Sequence, residues 1–270
     1  MAEQLTSNSH YLSRFVTAPW EYEQRFLRYY DFGDNQFHSC SSKSLFAADD
    51  INSQGVEDWL DRMIETPFGR IRDRVARGER DPLEQDWSCY RAAMLLIILQ
   101  GGRIAAIADL DARQRLDALA MMPERDLDWM VRLALRKFDL RLLHTESMPL
   151  CVPETGLFCM IMPDIRRFLQ EPFGFGIPIN PTCALLATPA ESGEKLDLTK
   201  SRTILATSSV ATSTARRVVV PPELYRQLGK DRLREKLLWF RQQNEQLLAV
   251  GQEKRRIVAR MFADATIKVR

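Results

Sequence analysis

Apolar residues recur along the chain with two different periods, which predict strands in some regions and helices in others. Segment 26–32 is aromatic and strand-like, Gly33-Asp34-Asn35 has the chemistry of a turn, and 36–39 could return as a second strand. In 56–75 the apolar residues instead recur at helical spacing. Pro67 lies inside that pattern and is predicted to kink or split the helix near Glu65–Thr66. This part of the chain therefore predicts a β-hairpin followed by a broken helix.

Two further helices are indicated by the residues that begin them. The segment 81–84, Asp-Pro-Leu-Glu, combines a cap, a first-turn proline and a glutamate at capping-box spacing. The helix that it opens passes through 92–99, which is apolar on every side and is predicted at the centre of the core. Gly101-Gly102 is predicted to interrupt or end this helix. Pro123 is predicted to begin the next one.

The second half of the chain changes character. Short apolar runs broken by seven prolines fill 140–189 and predict short strands and turns. The Ser- and Thr-rich segment 190–214 is predicted to be an exposed excursion, and 217–220 a further strand. Pro221-Pro222 opens a helical C-terminus with a long helix over about 231–262. The whole pattern predicts one α+β domain over 1–270, in which a helical core and a long C-terminal helix pack on short, mostly antiparallel strands.

Composition narrows the class of protein. The chain has 270 residues, of which 45% are hydrophobic and 27% charged, which is enough apolar material for a packed core. The longest apolar run, 92–99, is far too short to span a bilayer, and the N-terminus lacks the pattern of a signal peptide. The five cysteines form no CxxC pair and are expected to be buried free thiols. We therefore expect a cytoplasmic protein without a membrane partner.

Known catalytic fingerprints do not occur in the sequence. It contains no P-loop and no GxGxxG, GxSxG, HExxH or EF-hand pattern, which removes the enzyme classes that depend on them. Histidine remains the usual acid, base or metal ligand near neutral pH, and the chain has three, His10, His38 and His144. Glu57 falls inside the apolar sector of its helix and Glu65 just outside it. An inward carboxylate must be paired, protonated or bound to a cation, whereas a border position would let it reach water or an arginine.

Charge is distributed unevenly along the chain. Residues 216–270 contain 14 Lys and Arg against 6 Asp and Glu, so the rest of the chain is net acidic. Lys254, Arg255 and Arg256 form a basic patch with no interleaved aromatic residues. This patch could bind a protein partner or nucleic acid, or it could dock on the acidic remainder of the same chain.

Several short motifs together resemble one family. The segment 10–15, His-Tyr-Leu-Ser-Arg-Phe, is similar to the His-Tyr-x-Pro-x-Phe signature of a mainly bacterial domain of unknown function, number forty-two thirty-eight. The order of five further elements also resembles the family: paired glutamates, Gln-x-x-Arg, Ser-Asp-x-Pro, Phe-Pro-Leu-Ser-Pro and a late Asn in the last helix. The resemblance spans about 10–260, and it implies an α+β fold with a polar centre formed by His10, Glu57, Glu65, Gln100, Arg103, Ser147 and Asn244.

Two departures from the family pattern bear on activity. Ser13 stands where the signature has proline, and Ser147 stands where the Ser-Asp-x-Pro motif has aspartate. One hypothesis is a divalent-metal-dependent hydrolase of the nuclease or phosphodiesterase type, in which His10 and the glutamates bind metal or act as acid and base and Arg103 stabilises negative charge. The other hypothesis, favoured because of Ser147, is a non-catalytic binding or interaction protein in which the same residues form an internal polar network.

Overall fold

The structure, a computed structural model of the chain, describes residues 9–10, 14–48, 52–79, 83, 86–105, 112–136, 138–145, 149–160, 174–189 and 215–242. For residues 9–10, 24, 47–48, 100–105, 112–115, 159–160, 174 and 188–189 it describes the backbone.

Helices and short strands form largely separate runs along the described chain. The helices are α1 (Arg14–Thr17), α2 (Gln54–Leu60), α3 (Thr66–Ala76), α4 (Trp87–Ala105), α5 (Ala112–Ala120), α6 (Glu124–Leu135), α7 (Pro222–Leu228) and α8 (230–242). The strands are β1 (Ser9–His10), β2 (Phe26–Asp31), β3 (Gln36–Ser41), β4 (Ala47–Ala48), β5 (Phe138–His144), β6 (Val152–Pro153), β7 (Phe158–Met160), β8 (Gly174–Asn180), β9 (Cys183–Pro189) and β10 (Arg217–Val219).

The described residues group into two compact units, each drawn from separate parts of the chain. The helical unit contains β1, β4 and the helices α2 to α6, all but β1 within Ala47–Arg136. The sheet unit contains α1, the remaining strands, α7 and α8. That the two units fold as one domain over 1–270 stays a prediction from the sequence.

In the helical unit, one helical run extends from Gln54 to Ala76 and changes type in the middle. Ser53 caps its first turn by accepting from the backbone N–H of Val56. Residues Asp61–Glu65 form a π-helical segment, and α3 resumes at Thr66, whose N–H donates to the carbonyl of Asp61. Pro67, which has no N–H to donate, lies in the first turn of α3. The helix is therefore not split near Glu65–Thr66 as the sequence allowed; its hydrogen-bond pattern changes there instead.

Helix α4 forms the centre of the helical unit. Residues 91–98 are buried, as the apolar run predicted. Two sequence predictions about its ends were wrong. The helix begins at Trp87, with Asp86 before it, and not at the 81–84 motif, of which only Leu83 is described. It also continues through Gly101-Gly102 to Ala105. Glycine makes a helix less favourable by about 1 kcal/mol per residue but does not exclude it, so the flanking turns carry the helix through.

The sheet unit contains two four-stranded sheets in which every described pair of strands is antiparallel. One sheet has the order β3-β2-β10-β6 and the other β5-β9-β8-β7. The predicted hairpin is confirmed: β2 pairs with β3 in the register Phe26↔Ser41 to Asp31↔Gln36. Asn35, in the turn, has a positive φ of 58°, a conformation that asparagine tolerates better than most residues.

The core of the first sheet forms where α7 and α8 pack on it. Tyr30 of β2 and Val218 of β10 are fully buried there with Leu237 of α8. On the fold class, the sequence prediction is confirmed: antiparallel sheets pack against helices in an α+β arrangement. The segments 190–214 and 243–262, for which an excursion and the rest of the long helix were predicted, lie outside the described residues. Within the part of the chain that the structure describes, no helix combines the length and apolar character needed to cross a membrane.

Candidate functional site

Glu57 is the predicted site residue whose surroundings are best defined. It lies in the first turn of α2, and its side chain is half-buried. Its Oε1 accepts a hydrogen bond of 2.7 Å from Nδ2 of Asn52, which is buried. The carboxylate therefore ties the start of α2 to the segment before it. This contact is the kind that the polar-network hypothesis requires.

Glu65 occupies an unusual position in the backbone. It is the last residue of the π-helical segment Asp61–Glu65 and is half-buried. A π-helical turn inserts one residue and rotates the following side chains relative to those before it. The four-residue spacing that would place Glu57, Asp61 and Glu65 along one flank is therefore interrupted at this point.

The remaining predicted site residues are described in part or not at all. His10 pairs through its backbone with Ala47 in the β1–β4 ladder, and Gln100 and Arg103 lie in α4. The side chains of these three are outside the described residues, as are Ser147, Asn244, Lys254, Arg255 and Arg256. Among the side chains that are described, no three His, Cys, Asp or Glu groups form a set that could hold a metal ion. The convergence of His10, Glu57 and Ser147 stays a prediction.

A second polar cluster lies on the β2–β3 hairpin. Nε2 of His38 is 2.9 Å from Oδ2 of Asp34, and the ring of His38 stacks on Tyr29 at 5.4 Å. Burial raises the pKa of the Tyr29 hydroxyl, and burial likewise raises the pKa of the Cys40 thiol. Both groups therefore hold their protons near neutral pH and are not activated as nucleophiles. We interpret the cluster as cross-strand contacts that stabilise the hairpin.

Two exposed tryptophans, one in each unit, define a different candidate. In α6 the core-facing residues are Leu127, Met130 and Val131, and Trp129 faces away from them with 51% of its surface exposed. Three further residues lie on the same side of the helix axis as Trp129. At 100° per residue all four fall within a sector of about 60°, and all four are exposed. We call this set the α6 stripe: Arg125, Trp129, Arg132 and Arg136.

Two carboxylates of α6, Glu124 and Asp128, lie beside this stripe and contact an arginine of α4. Arg91, which is nearly buried, binds Glu124 and lies 3.1 Å from Oδ1 of Asp128. The indole N–H of Trp87 donates to the same Asp128 oxygen at 2.9 Å, and the guanidinium of Arg132 lies 4.0 Å from the centre of the Trp87 ring. These contacts direct negative charge toward Arg91 and fix one cation of the stripe in place.

Helix α8 repeats the arrangement in the sheet unit. Its buried residues are Leu233, Leu237 and Phe240, at helical spacing. Three exposed residues lie away from this buried face and again fall within a sector of about 60°. We call this set the α8 stripe: Arg232, Lys236 and Trp239. The side chain of Trp239 is 55% exposed.

The two stripes were not predicted from the sequence. The apolar periodicity predicts the buried residues of α6 and part of those of α8, and it does not involve the exposed residues beside them. The signal was present, because the same helical wheel that collects Leu127 and Met130 also collects Arg125, Trp129 and Arg132 on the other side. In α8, Trp239 follows Arg232 and Lys236 at helical spacing, which is a signal separate from the basic patch at 254–256.

Comparison of the chain with models of protein families, with curated proteins and with solved structures gives no match. The site is therefore interpreted from its own residues.

Proposed function

We propose that the chain is a non-catalytic binding protein whose contact surfaces are the α6 stripe and the α8 stripe. The observation that carries the proposal is the exposure of Trp129 and Trp239, which are about half exposed on helices that each bury a separate apolar face. Tryptophan is usually placed where most of its large surface is covered. Tryptophan and arginine are also the residue types that most often dominate binding energy at contact surfaces.

The polar residues of the described structure support the same proposal. Glu57 binds the amide of Asn52, Asp86 accepts hydrogen bonds at the start of α4, and Asp31 accepts from Arg216 at 2.9 Å. Each carboxylate thus has a structural partner within its own unit. The resemblance to family forty-two thirty-eight and the cytoplasmic location expected from the sequence belong to this proposal as well.

The proposal is tested by isolating the tagged protein and identifying the macromolecules that remain bound to it. The double variant Trp129→Ala/Trp239→Ala should lose bound macromolecules that the unchanged protein retains, while its circular dichroism spectrum stays the same. The matched control is Met121→Ala, because Met121 is 82% exposed but lies outside both stripes. Equal recovery with the unchanged protein and the double variant would overturn the proposal.

One observation favours the metal-dependent hydrolase as a second candidate. Glu65 ends a π-helical segment, and such segments occur frequently at functional sites. If Glu65 and His10 bind a divalent cation, Mn²⁺ should raise the melting temperature of the protein above its value in EDTA. Glu65→Gln should abolish that increase. Equal melting temperatures with and without Mn²⁺ would remove this candidate.

A further inference from the structure

We propose that the α6 stripe and the α8 stripe bind single-stranded nucleic acid, with Trp129 and Trp239 as stacking platforms for bases. This inference rests on the proposed binding function and names its partner.

Each stripe combines cations with one aromatic ring within a short distance, with cations on both sides of the ring in α6 and before it in α8. Trp129 lies one helical turn after Arg125 and just before Arg132, and Trp239 follows Lys236 by three residues. The seven steps from Arg125 to Arg132 rise about 10 Å along the helix axis. That length corresponds to about three stacked nucleotides at 3.4 Å each. One base on the indole and phosphates on the flanking cations would therefore fit the stripe.

The charges beside the stripes favour an anionic ligand. In α8, residues 230–242 contain five Lys and Arg against two Asp and Glu. In α6, Glu124 and Asp128 already contact Arg91. Arg125 contacts Asp126 at 3.2 Å, but its side chain is 86% exposed, and an exposed ion pair of this kind is easily replaced by a phosphate.

A protein partner fits the stripes less well than a nucleic-acid strand. A stable protein interface buries about 800 Å² on each side around an apolar centre depleted of charge. Each stripe contains one aromatic ring, which would supply only about 150 to 250 Å² of that area. A single strand offers the complementary pattern, flat aromatic bases alternating with phosphates, and base stacking on an aromatic side chain tolerates any sequence. Bases in a duplex are already stacked and paired, so the ligand is an unpaired strand.

The recurrence of the pattern is a separate argument. Two helices in different units, with unrelated sequences, each place tryptophan and cations within a sector of about 60° away from their buried residues, opposite to them in α6 and about 100° from them in α8. In each helix the buried apolar residues are enough to explain why the helix forms and packs on its unit.

The test is fluorescence anisotropy of labelled 20-nucleotide dT and U strands with the full-length protein at 50 mM and 200 mM salt. We expect binding that weakens as salt rises, because phosphate contacts release counterions. Trp129→Ala and Trp239→Ala should each weaken binding by about five- to a hundredfold, which corresponds to the loss of one stacked base. Met121→Ala should leave binding unchanged. Bound strands should also quench the fluorescence of the unchanged protein.

Charge variants keep the proposal testable if a tryptophan variant fails to fold. Arg125→Gln and Lys236→Gln should each reduce the dependence of affinity on salt, since each removes one phosphate contact. No binding to either strand at 50 mM salt would overturn the proposal. Equal affinity for the strand and its duplex would do so too, as would binding that neither tryptophan variant changes. The last result would assign binding to other basic segments of the chain.

The failure of this inference and of the proposed function can be told apart. If the double tryptophan variant loses a bound protein while neither strand binds, the nucleic-acid inference is overturned and the binding function stands. If the variant loses nothing that the unchanged protein binds, both are overturned.

Discussion

At the residue scale, Asp86 shows how one carboxylate organises the start of the central helix. Its Oδ1 accepts from the backbone N–H of Ser88 at 3.1 Å and of Cys89 at 3.3 Å, and Arg74 lies 3.6 Å from Oδ2. The hydrogen bond from the Ser88 hydroxyl is the main cause that lowers the pKa of Asp86 to about 2, against the opposing effect of burial. The charged form is therefore stabilised in the folded protein.

We predict that Asp86→Asn destabilises the protein at neutral pH by up to about 2 kcal/mol, which is the value of a pKa lowered from 3.8 to about 2. Asparagine caps a helix about as well as aspartate, so the loss is mainly one of charge. Since the folded pKa is lowered, this contribution is complete above pH 4 to 5 and is lost as pH falls toward 2. About half should remain at pH 3. Urea unfolding of both proteins between pH 7 and pH 3 measures it.

Asp73→Asn is the control for this experiment, because Asp73 is exposed on α3 in the same unit. Its effect should stay within about 0.5 kcal/mol at every pH. A difference between Asp86→Asn and the unchanged protein that is as large at pH 3 as at pH 7 would show that the charge of Asp86 is not the cause.

Glu57 is the residue at which the two hypotheses from the sequence can be compared. Glu57→Ala removes an acceptor of the buried Asn52 amide, and we predict a loss of about 1 to 3 kcal/mol in the free energy of unfolding. Glu57→Gln, which retains an amide oxygen, should recover part of that loss. Thermal unfolding of the two variants measures both effects. Equal stability of Glu57→Ala and the unchanged protein would contradict the polar-network interpretation.

At the element scale, the pairing of β7 with β8 depends on a glycine. Gly176 faces Phe158 across the ladder, and a Cβ built at Gly176 would lie 2.2 Å from the Phe158 ring, which is fully buried. The aromatic ring covers the glycine, as it does in other sheets where glycine lacks a side chain to pack.

We predict that Gly176→Ala lowers the free energy of unfolding by about 1 to 3 kcal/mol, because the buried ring must move from its packed position. The matched control is Gly69→Ala in α3, where an added Cβ would meet nothing within 4 Å. That substitution should raise stability by about 0.5 to 1 kcal/mol, since alanine favours the helix. Thermal unfolding of the two variants should therefore show shifts of opposite sign. A stabilised Gly176→Ala would show that Phe158 does not occupy this place.

Elements with local signals were predicted well from the sequence. The hairpin follows from its turn residues, and the change of helix type before α3 lies beside Pro67. Helix α4 was predicted to be interrupted or ended at Gly101-Gly102, but packing of its apolar turns outweighed the weak preference of glycine. Pairing between distant strands, such as β2 with β10, has no local signal, because antiparallel ladders are chosen by tertiary packing.

The candidate site was predicted only in part. The carboxylate of Glu57 was expected either to face inward, where it would need a partner, or to lie at the border of the apolar sector. Its hydrogen bond to Asn52 is such a partner. The stripes were missed because apolar periodicity identifies the face that folds the protein. The opposite face is under no such requirement, so its residues must be examined separately.

At the scale of the whole molecule, the five tryptophans report on the two units separately. Trp20 and Trp59 are buried and Trp87 is half-buried, whereas Trp129 and Trp239 are about half exposed beside cations. A charged quencher therefore samples mainly the two stripes, and its efficiency depends on the sign of the local potential. At low salt, iodide should quench the exposed tryptophans more strongly than caesium does.

We predict that this difference between iodide and caesium shrinks as ionic strength rises to about 0.5 M, because salt screens the surface cations. Trp129→Phe/Trp239→Phe should remove most of the quenchable fluorescence, while either single variant leaves the contribution of the other unit. Acrylamide, which is neutral, controls for simple exposure and should quench the same two residues at any salt concentration. Stern–Volmer plots of the four proteins measure these quantities. If caesium quenches as well as iodide at low salt, the stripes do not carry the positive potential that recognition of a phosphate backbone requires.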